Sequence, residues 1–351
     1  MTLETALQQI RPANQGVFQA VLDHWDSLAK PLGSLGELER TVARIGAAIG
    51  SADVHLNRRT LLVFCADNGV VAQGVSQSGP EVTAAVATAL GAGTSTVNYL
   101  ARGANCRVVP VDLGILDFSG APGVEDRRVC NGTEDISRGR AMTRAECVQA
   151  IEAGIQMVGR EAQQGTNVVL LGEMGIGNTT TSSALACGLL NLPAQKLTGR
   201  GAGLSDEGLR RKIGAIQQAF SVNAPDVSDP IDLLSKVGGL DLAGLCGACI
   251  GGALYHVPVL LDGLITAAAA LCAVRLCPAV GDYLLASHVS AEPAAHLLLE
   301  TLGLHPLISA GMRLGEGSGA VCALPLLDLA LEVYHSGHTF GHLGIEAYTP
   351  Q

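Results

Sequence analysis

Along the chain, short, mostly apolar runs alternate with longer stretches of helical periodicity. Five runs of strand length each stop at a polar residue beside a glycine or serine. Residues 60–66 precede Asp67-Asn68-Gly69, 106–111 precede Asp112-Leu113-Gly114 and 167–171 precede Gly172-Glu173. Residues 257–261 precede Asp262-Gly263, and 283–286 precede Ser287-His288. Between them the pattern predicts helices over 81–101, 144–164, 178–190, 206–220, 232–255 and 264–277. Strands without polar alternation are buried on both faces. The order therefore predicts an α/β fold, a parallel sheet with helices on both sides.

The two ends read differently. Residues 15–49 form two predicted helices, the first reaching about Lys30, parted by Pro31-Leu32-Gly33-Ser34-Leu35-Gly36. Lys30 either offers a charge to an anion or complements the helix C-terminus. Residues 1–11 are amphipathic and lack the charged start and apolar core of a signal peptide. The longest apolar block, 264–276, is too short to span a bilayer, so the expectation is a cytoplasmic protein without a membrane partner. The tail from His335 holds three His and three Gly without metal-ligand spacing and reads as a poorly ordered end.

Composition narrows the class. The 351 residues are 48% hydrophobic and only 3% aromatic, which suits helices packed closely on a sheet. A net charge of −10 excludes the basic footprint that nucleic acid requires. Most of the ten cysteines sit in apolar runs and act as small hydrophobes. Cys246-Gly247-Ala248-Cys249 has no second pair and reads as a helix packing face rather than a zinc or redox site.

In a parallel sheet the strands end at one edge, and ligands bind beyond it. Asp67, Asp112, Glu173, Asp262 and His288 are expected to converge there, although an Asp at a strand end also serves to cap a turn. His288 is either a ligand contact or a structural hydrogen-bonding group. Residues 68–80 are a polar loop, either the wall of a second substrate site or a surface connection.

Two glycine-rich loops suggest phosphate. Gly172-Glu173-Met174-Gly175-Ile176-Gly177-Asn178-Thr179-Thr180-Thr181 follows a strand and opens a helix, where free N–H groups favour anions. Without a Gly-Lys-Ser/Thr ending it suits a monophosphate. Thr198-Gly199-Arg200-Gly201-Ala202-Gly203-Leu204 is the second, with Lys212 about two turns into the next helix as counter-charge. Neither has the acidic residue about 20 positions on that a dinucleotide ribose requires, which argues against a dehydrogenase.

Met312-Arg313-Leu314-Gly315-Glu316-Gly317-Ser318-Gly319-Ala320 sets one carboxylate among glycines, before a helix predicted over 321–333 with Ser318 as its N-cap. Short neighbours would keep this Glu apart from bulk solvent yet open to a small molecule, as a general base requires. The other reading is a glycine-rich turn with a solvated Glu.

Together the motifs resemble one family. Lys30-Pro-Leu-Gly-Ser-Leu-Gly36, Cys65-Ala-Asp-Asn-Gly69, Gly172-Glu-Met-Gly-Ile-Gly-Asn-Thr-Thr180, Lys236-Val-Gly-Gly239, Leu260-Leu-Asp-Gly263, Ser287-His-Val-Ser-Ala-Glu292 and Met312-Arg-Leu-Gly-Glu-Gly-Ser-Gly319 occur in one order. They resemble the nicotinate-nucleotide–dimethylbenzimidazole phosphoribosyltransferases, which activate the lower ligand of cobamides, from about Asp23 to Leu331.

The resemblance implies the conversion of nicotinate mononucleotide and 5,6-dimethylbenzimidazole into α-ribazole 5′-phosphate and nicotinate, with inversion at C1′ and without a metal or cofactor. It makes Glu316 the catalytic base and sets Glu173 near the ribose. Gly175, Asn178, Thr179, Gly201, Ala202, Gly203 and Lys212 fall at the nucleotide phosphate, Ser290 at the nicotinate end, and Ser78, Val86 and Leu314 at the base pocket. It also implies a Rossmann-like sheet domain over 51–334 and a small helical domain from 1–50 with 335–351. The expected assembly is a homodimer. Two departures stand out: Asn68 replaces an expected His, and apolar Val86 stands near an expected Gln. They leave base choice open, and some relatives attach phenolic ligands as heteromers with a similar chain. The alternatives are such a phenol-activating homologue, or a catalytically silent, nucleotide-binding subunit.

Overall fold

The computed structural model describes residues 1–348. The last three residues of the expected 335–351 segment lie outside the described residues. In chain order the elements begin with helices α1 (Leu3–Gln9), α2 (Gln15–Ser27) and α3 (Glu37–Ile49). Then come β1 (Arg59–Ala66), α4 (Glu81–Gly91), α5 (Thr96–Gly103), β2 (Cys106–Gly114), β3 (Glu125–Asp126) and α6 (Arg144–Gln163). The middle holds β4 (Val168–Met174), α7 (Asn178–Leu190), α8 (Ala194–Leu197), α9 (Asp206–Asn223), α10 (Pro230–Val237) and α11 (Leu240–Tyr255). The last part runs β5 (Val259–Leu261), α12 (Leu264–Leu276), β6 (Leu284–Ala286), α13 (Ala295–Thr301), α14 (Ser318–Tyr334) and α15 (Phe340–Leu343).

All six strands pair in parallel, in the order β3-β2-β1-β4-β5-β6. The five predicted strands are present. β3, at two residues, is too short for any periodicity to mark. Along β1, Leu62, Phe64 and Ala66 face one core while Leu61, Val63 and Cys65 face the other. Both faces are covered, and that is why these strands read as unbroken apolar runs. α6, α7, α10, α11 and α12 supply the first core, and α2, α3, α5 and α14 the second. α1 packs with the first core through Leu3 and Ala6, so the first fifty residues divide between the two faces.

Several boundaries differ from the sequence reading. The helix expected over 81–101 is two, because Gly93 takes φ +76° and Ser95 then starts α5 with a reciprocal cap to Asn98. The helix expected over 232–255 breaks at Gly238-Gly239, where a Cβ on Gly239 would lie 2.5 Å from Asn68 Oδ1. The first N-terminal helix stops at Ser27 rather than near Lys30. α14 starts at Ser318, with Gly317 at φ +84° as its N-cap, so Ser318 is inside the helix and caps nothing. The segment after His335 is tied to the N-terminal helices at 338–340, while 341–348 are exposed. Ala29 N donates to His338 O at 2.8 Å, Thr339 bridges to Leu28, and Phe340 is buried. Among the described residues no helix is long and apolar enough to cross a membrane.

Candidate active site

The connections from β1 run toward β2 on one side, and those from β4 run toward β5 on the other. The C-terminal ends of β1 and β4 therefore flank a topological switch point, the natural crevice of such a sheet. A cavity of about 340 Å³ opens beside it, walled by the ends of β4, β5 and β6, the start of α4, the 201–202 loop and residues 313–316.

Close backbone approach builds this wall. A Cβ on Gly175 would lie 2.1 Å from Ala66 O, so the β4 loop can cross the end of β1 only with glycine there. Gly177, at φ +95°, turns the chain into α7. Glu316 sits at φ +60° between Gly315 and Gly317, both at φ +84°. A left-handed Glu costs about 1–3 kcal/mol and persists only where its surroundings hold it.

Four carboxyl groups gather on the sheet side. The Asn178 side-chain amide donates to Glu173 Oε2 and, at 3.1 Å, to Asp241 Oδ2. Burial pushes Glu173 up to about 8; Asp241 and Asp262 add to the rise, and the Asn178 hydrogen bond opposes it. Burial likewise raises Asp241 to about 7. Asp262 Oδ1 accepts from the amides of Gly319 (2.7 Å) and Ala320 (3.3 Å) in the first turn of α14. Burial raises its pKa, and His288, whose Nδ1 lies 3.7 Å away, lowers it. Burial also raises Glu316, against the nearby Val97 amide and Ser95 hydroxyl. Neither makes a well-formed hydrogen bond to it, since Ser95 donates instead to Asn98 Oδ1 at 2.8 Å. Glu316 Oε2 is enclosed with no partner among the described residues.

The opposite side holds a buried ammonium group. Lys212 is fully buried, yet its Nζ meets only neutral groups, Thr179 Oγ1 at 2.9 Å and Gly199 O at 3.2 Å. Burial lowers its pKa to about 8, with Glu292 pulling it back up. Glu292 Oε1 accepts from Gly201 N at 3.0 Å. Ser290 Oγ is buried without a partner among the described residues.

Of the residues singled out in the sequence, Glu173, Gly175, Asn178, Thr179, Gly201, Ala202 and Ser290 line this one cavity, as do Ser78, Val86, Leu314 and Glu316. Gly203 and Lys212 do not line it. Lys212 reaches it through Thr179, and the Gly203 carbonyl accepts from the Gln77 side chain on the 68–80 loop.

Of the five strand-end residues, only Glu173, Asp262 and His288 reach the cavity. Asp67 instead accepts from Thr83 Oγ1 (2.6 Å) and Leu116 N (2.8 Å). Asp112 caps Gly114 and Ile115 and pairs with Arg128 at 2.9 Å. Both hold turns. Lys30 does neither thing expected of it: it pairs with Glu39 at 2.7 Å and lies over the Trp25 ring. Cys246 and Cys249 are buried in α11 as packing residues.

Asp241, fully buried beside Glu173, escaped the sequence reading because it lay inside a presumed continuous helix. The Gly238-Gly239 pair just before it was the available signal. Arg313 and Thr266 also line the cavity without having been assigned a place there.

An α/β chain that sets two glycine-rich loops and a buried lysine opposite a cluster of acids has a layout suited to a phosphoribosyl-transferring enzyme. A family model described as phosphoribosyltransferase matches residues 10–345. The chain is 43% identical over 350 residues to the nicotinate-nucleotide–dimethylbenzimidazole phosphoribosyltransferase of Ruminiclostridium cellulolyticum, covering 100% of this chain and 99% of that protein. With the enzyme of the same name from Acetivibrio thermocellus it shares 44% identity over 326 residues, 93% of each chain. The crystal structure of CobT from Thermus thermophilus superposes with a TM-score of 0.89 at 37% identity, covering 95% of this chain and 100% of that one. The chain belongs to the nicotinate-nucleotide–dimethylbenzimidazole phosphoribosyltransferase family and is an enzyme of that class.

Proposed function

We propose that the enzyme transfers the 5-phosphoribosyl group of nicotinate mononucleotide to 5,6-dimethylbenzimidazole or a related lower-ligand base. The products are α-ribazole 5′-phosphate and nicotinate, in cobamide nucleotide-loop assembly. The observation that carries this reading is the enclosed, unpartnered Oε2 of Glu316 in the same cavity as Thr179 and Gly201, with the Lys212 ammonium buried behind them.

The phosphate sits against the two glycine loops, where backbone N–H groups and the Thr179 hydroxyl meet it and Lys212 balances its charge. C1′ then faces the carboxyl cluster. A base ring nitrogen forms the new bond to C1′ from the side opposite nicotinate. The electron pair of the breaking C1′–N bond returns to the pyridinium, which leaves as neutral-ringed nicotinate, and C1′ inverts from β to α. The proton on the other ring nitrogen passes to Glu316, whose raised pKa suits it to accept; such help is worth roughly 10²–10⁴-fold. Glu173, raised to about 8, is mostly protonated at pH 7 and acts as a hydrogen-bond donor to the sugar. Asp262 and Glu316 favour the positive charge that develops on the ribose.

Val82, Val86 and Leu314 make the base side apolar, which suits the flat face of an aromatic base and leaves the choice of base open. The same reading carries a cytoplasmic homodimer, with residues 1–50 and 335–351 as the small helical unit and 51–334 as the large one. Incubating the purified chain with nicotinate mononucleotide and a panel of benzimidazoles, adenine and phenols tests it. Nicotinate release with benzimidazoles by wild type, lost in Glu316→Ala, is the expected result. Tight nucleotide binding without turnover on any base would replace it with a silent subunit.

A further inference from the structure

The link from α3 to β1 and the end of α14 meet at the surface, far from the cavity. Val54 and Leu56 are buried, so the residues alternating with them, Asp53 and His55, are held facing outward. Tyr334 is buried and its hydroxyl donates to Ala52 O at 2.8 Å, which fixes His335 beside that pair. The His55 and His335 rings stack with centroids 4.8 Å apart and planes 12° from parallel. His55 Nε2 lies 3.0 Å from Asp53 Oδ1. One ligand atom from each of the three residues lies within 4.8 Å of the other two.

We propose that Asp53, His55 and His335 bind one divalent transition-metal ion of the zinc type, which fastens the α3–β1 link to the end of α14. Two imidazoles beside one carboxylate suit zinc, whereas calcium and magnesium take oxygen ligands throughout. The His335 ring is already oriented. Its Nε2 donates to Val54 O at 2.9 Å, and a carbonyl only accepts, so the Nδ1 lone pair is the one left for a metal. Donors on a tetrahedral zinc with bonds of about 2.0–2.2 Å stand about 3.4 Å apart. His335 stays on Val54, and the exposed Asp53 and His55 side chains rotate to close the remaining gap, His55 leaving its stacked position, without disturbing the core. Residues 53–55 and 335 are separated by nearly the whole chain, which is why no spacing in the sequence points to them.

The test uses the full-length, tag-free chain, stripped with chelator and titrated with zinc chloride against a competing chromophoric chelator. One equivalent per chain is expected, lost in both His55→Ala and His335→Ala and weakened about tenfold or more in Asp53→Asn. X-ray absorption of the one-zinc form is expected to show nitrogen and oxygen ligands only. Zinc is also expected to raise Tm by about 2 °C in wild type and not in His335→Ala. No binding by wild type, an unchanged equivalent in His335→Ala, or sulfur ligation from the half-buried Cys130 or Cys322 would overturn the proposal. None of these readouts depends on the transferase reaction.

Discussion

Gly172 and Glu316 touch through their backbones: a Cβ built on Gly172 would lie 2.6 Å from both the carbonyl carbon and the carbonyl oxygen of Glu316. The end of β4 is thus the floor on which the Glu316 loop rests, and it sets the depth at which that carboxylate stands in the cavity. Gly172→Ala must push the loop away, because backbone atoms cannot rotate aside. Overpacking of this kind costs about 1–3 kcal/mol, and a displacement of about 1 Å at a reacting group costs about 10²-fold in rate. We expect a lower Tm together with a kcat reduced about 100-fold. A variant with wild-type kcat would show that the position of Glu316 does not depend on this contact.

Glu316→Gln keeps the size of the side chain and removes its capacity to accept a proton. The expected effect is a loss of about 10²–10⁴ in kcat, with the KM for nicotinate mononucleotide changed only a few-fold. Steady-state kinetics decides it. A large rise in KM with kcat preserved would make Glu316 a binding group instead.

Lys212 carries its charge below about pH 8 and loses it as pH rises through that value. The KM for the nucleotide is expected to climb between pH 7 and 9 in wild type. Lys212→Ala should start about 10–100-fold higher at pH 7, the worth of a charged hydrogen bond, and stay flat over the same range. A Lys212→Ala profile that still rises in parallel with wild type would place the titrating group elsewhere.

Glu173 and Asp241 make stability depend on pH. Their carboxyls ionise near 4.5 and 3.8 when unperturbed, but only near 8 and 7 in the folded protein. Between those limits the native state binds more protons than the unfolded one. The contribution is therefore whole below about pH 4 and is lost as pH rises through 7 to 8. Urea unfolding at pH 5.5 and pH 8.5 is expected to show wild type losing stability toward the higher pH, and Glu173→Gln and Asp241→Asn losing less. A pH dependence identical in all three proteins would mean that neither group holds its proton.

The sheet was the most legible part of the molecule. Residues 61–66 and 168–171 are apolar at every position because alternate residues meet different cores, and that pattern survives in any one-dimensional reading. The glycine loops were legible for a similar reason, since only glycine permits the contacts made by Gly172 and Gly175. Asp241 was not. Gly238-Gly239 marks a candidate break, but nothing local to it says that the break turns Asp241 inward beside Glu173.

By itself, then, the amino-acid order determined five of the six strands, most helices and the two loops, because burial and backbone freedom leave local marks. It also placed Asp67, Asp112, Glu173, Asp262 and His288 at strand ends. Which of them would serve the cavity was decided only in three dimensions. Asp67 turns to Thr83 and Leu116, and Asp112 to its own loop and Arg128, where those donors satisfy their buried carboxylates. Tertiary packing alone brought His335 to Asp53 and His55, and set Asn178 between Glu173 and Asp241. The direction a polar side chain takes depends on partners supplied by distant segments, and no periodicity along the chain records them.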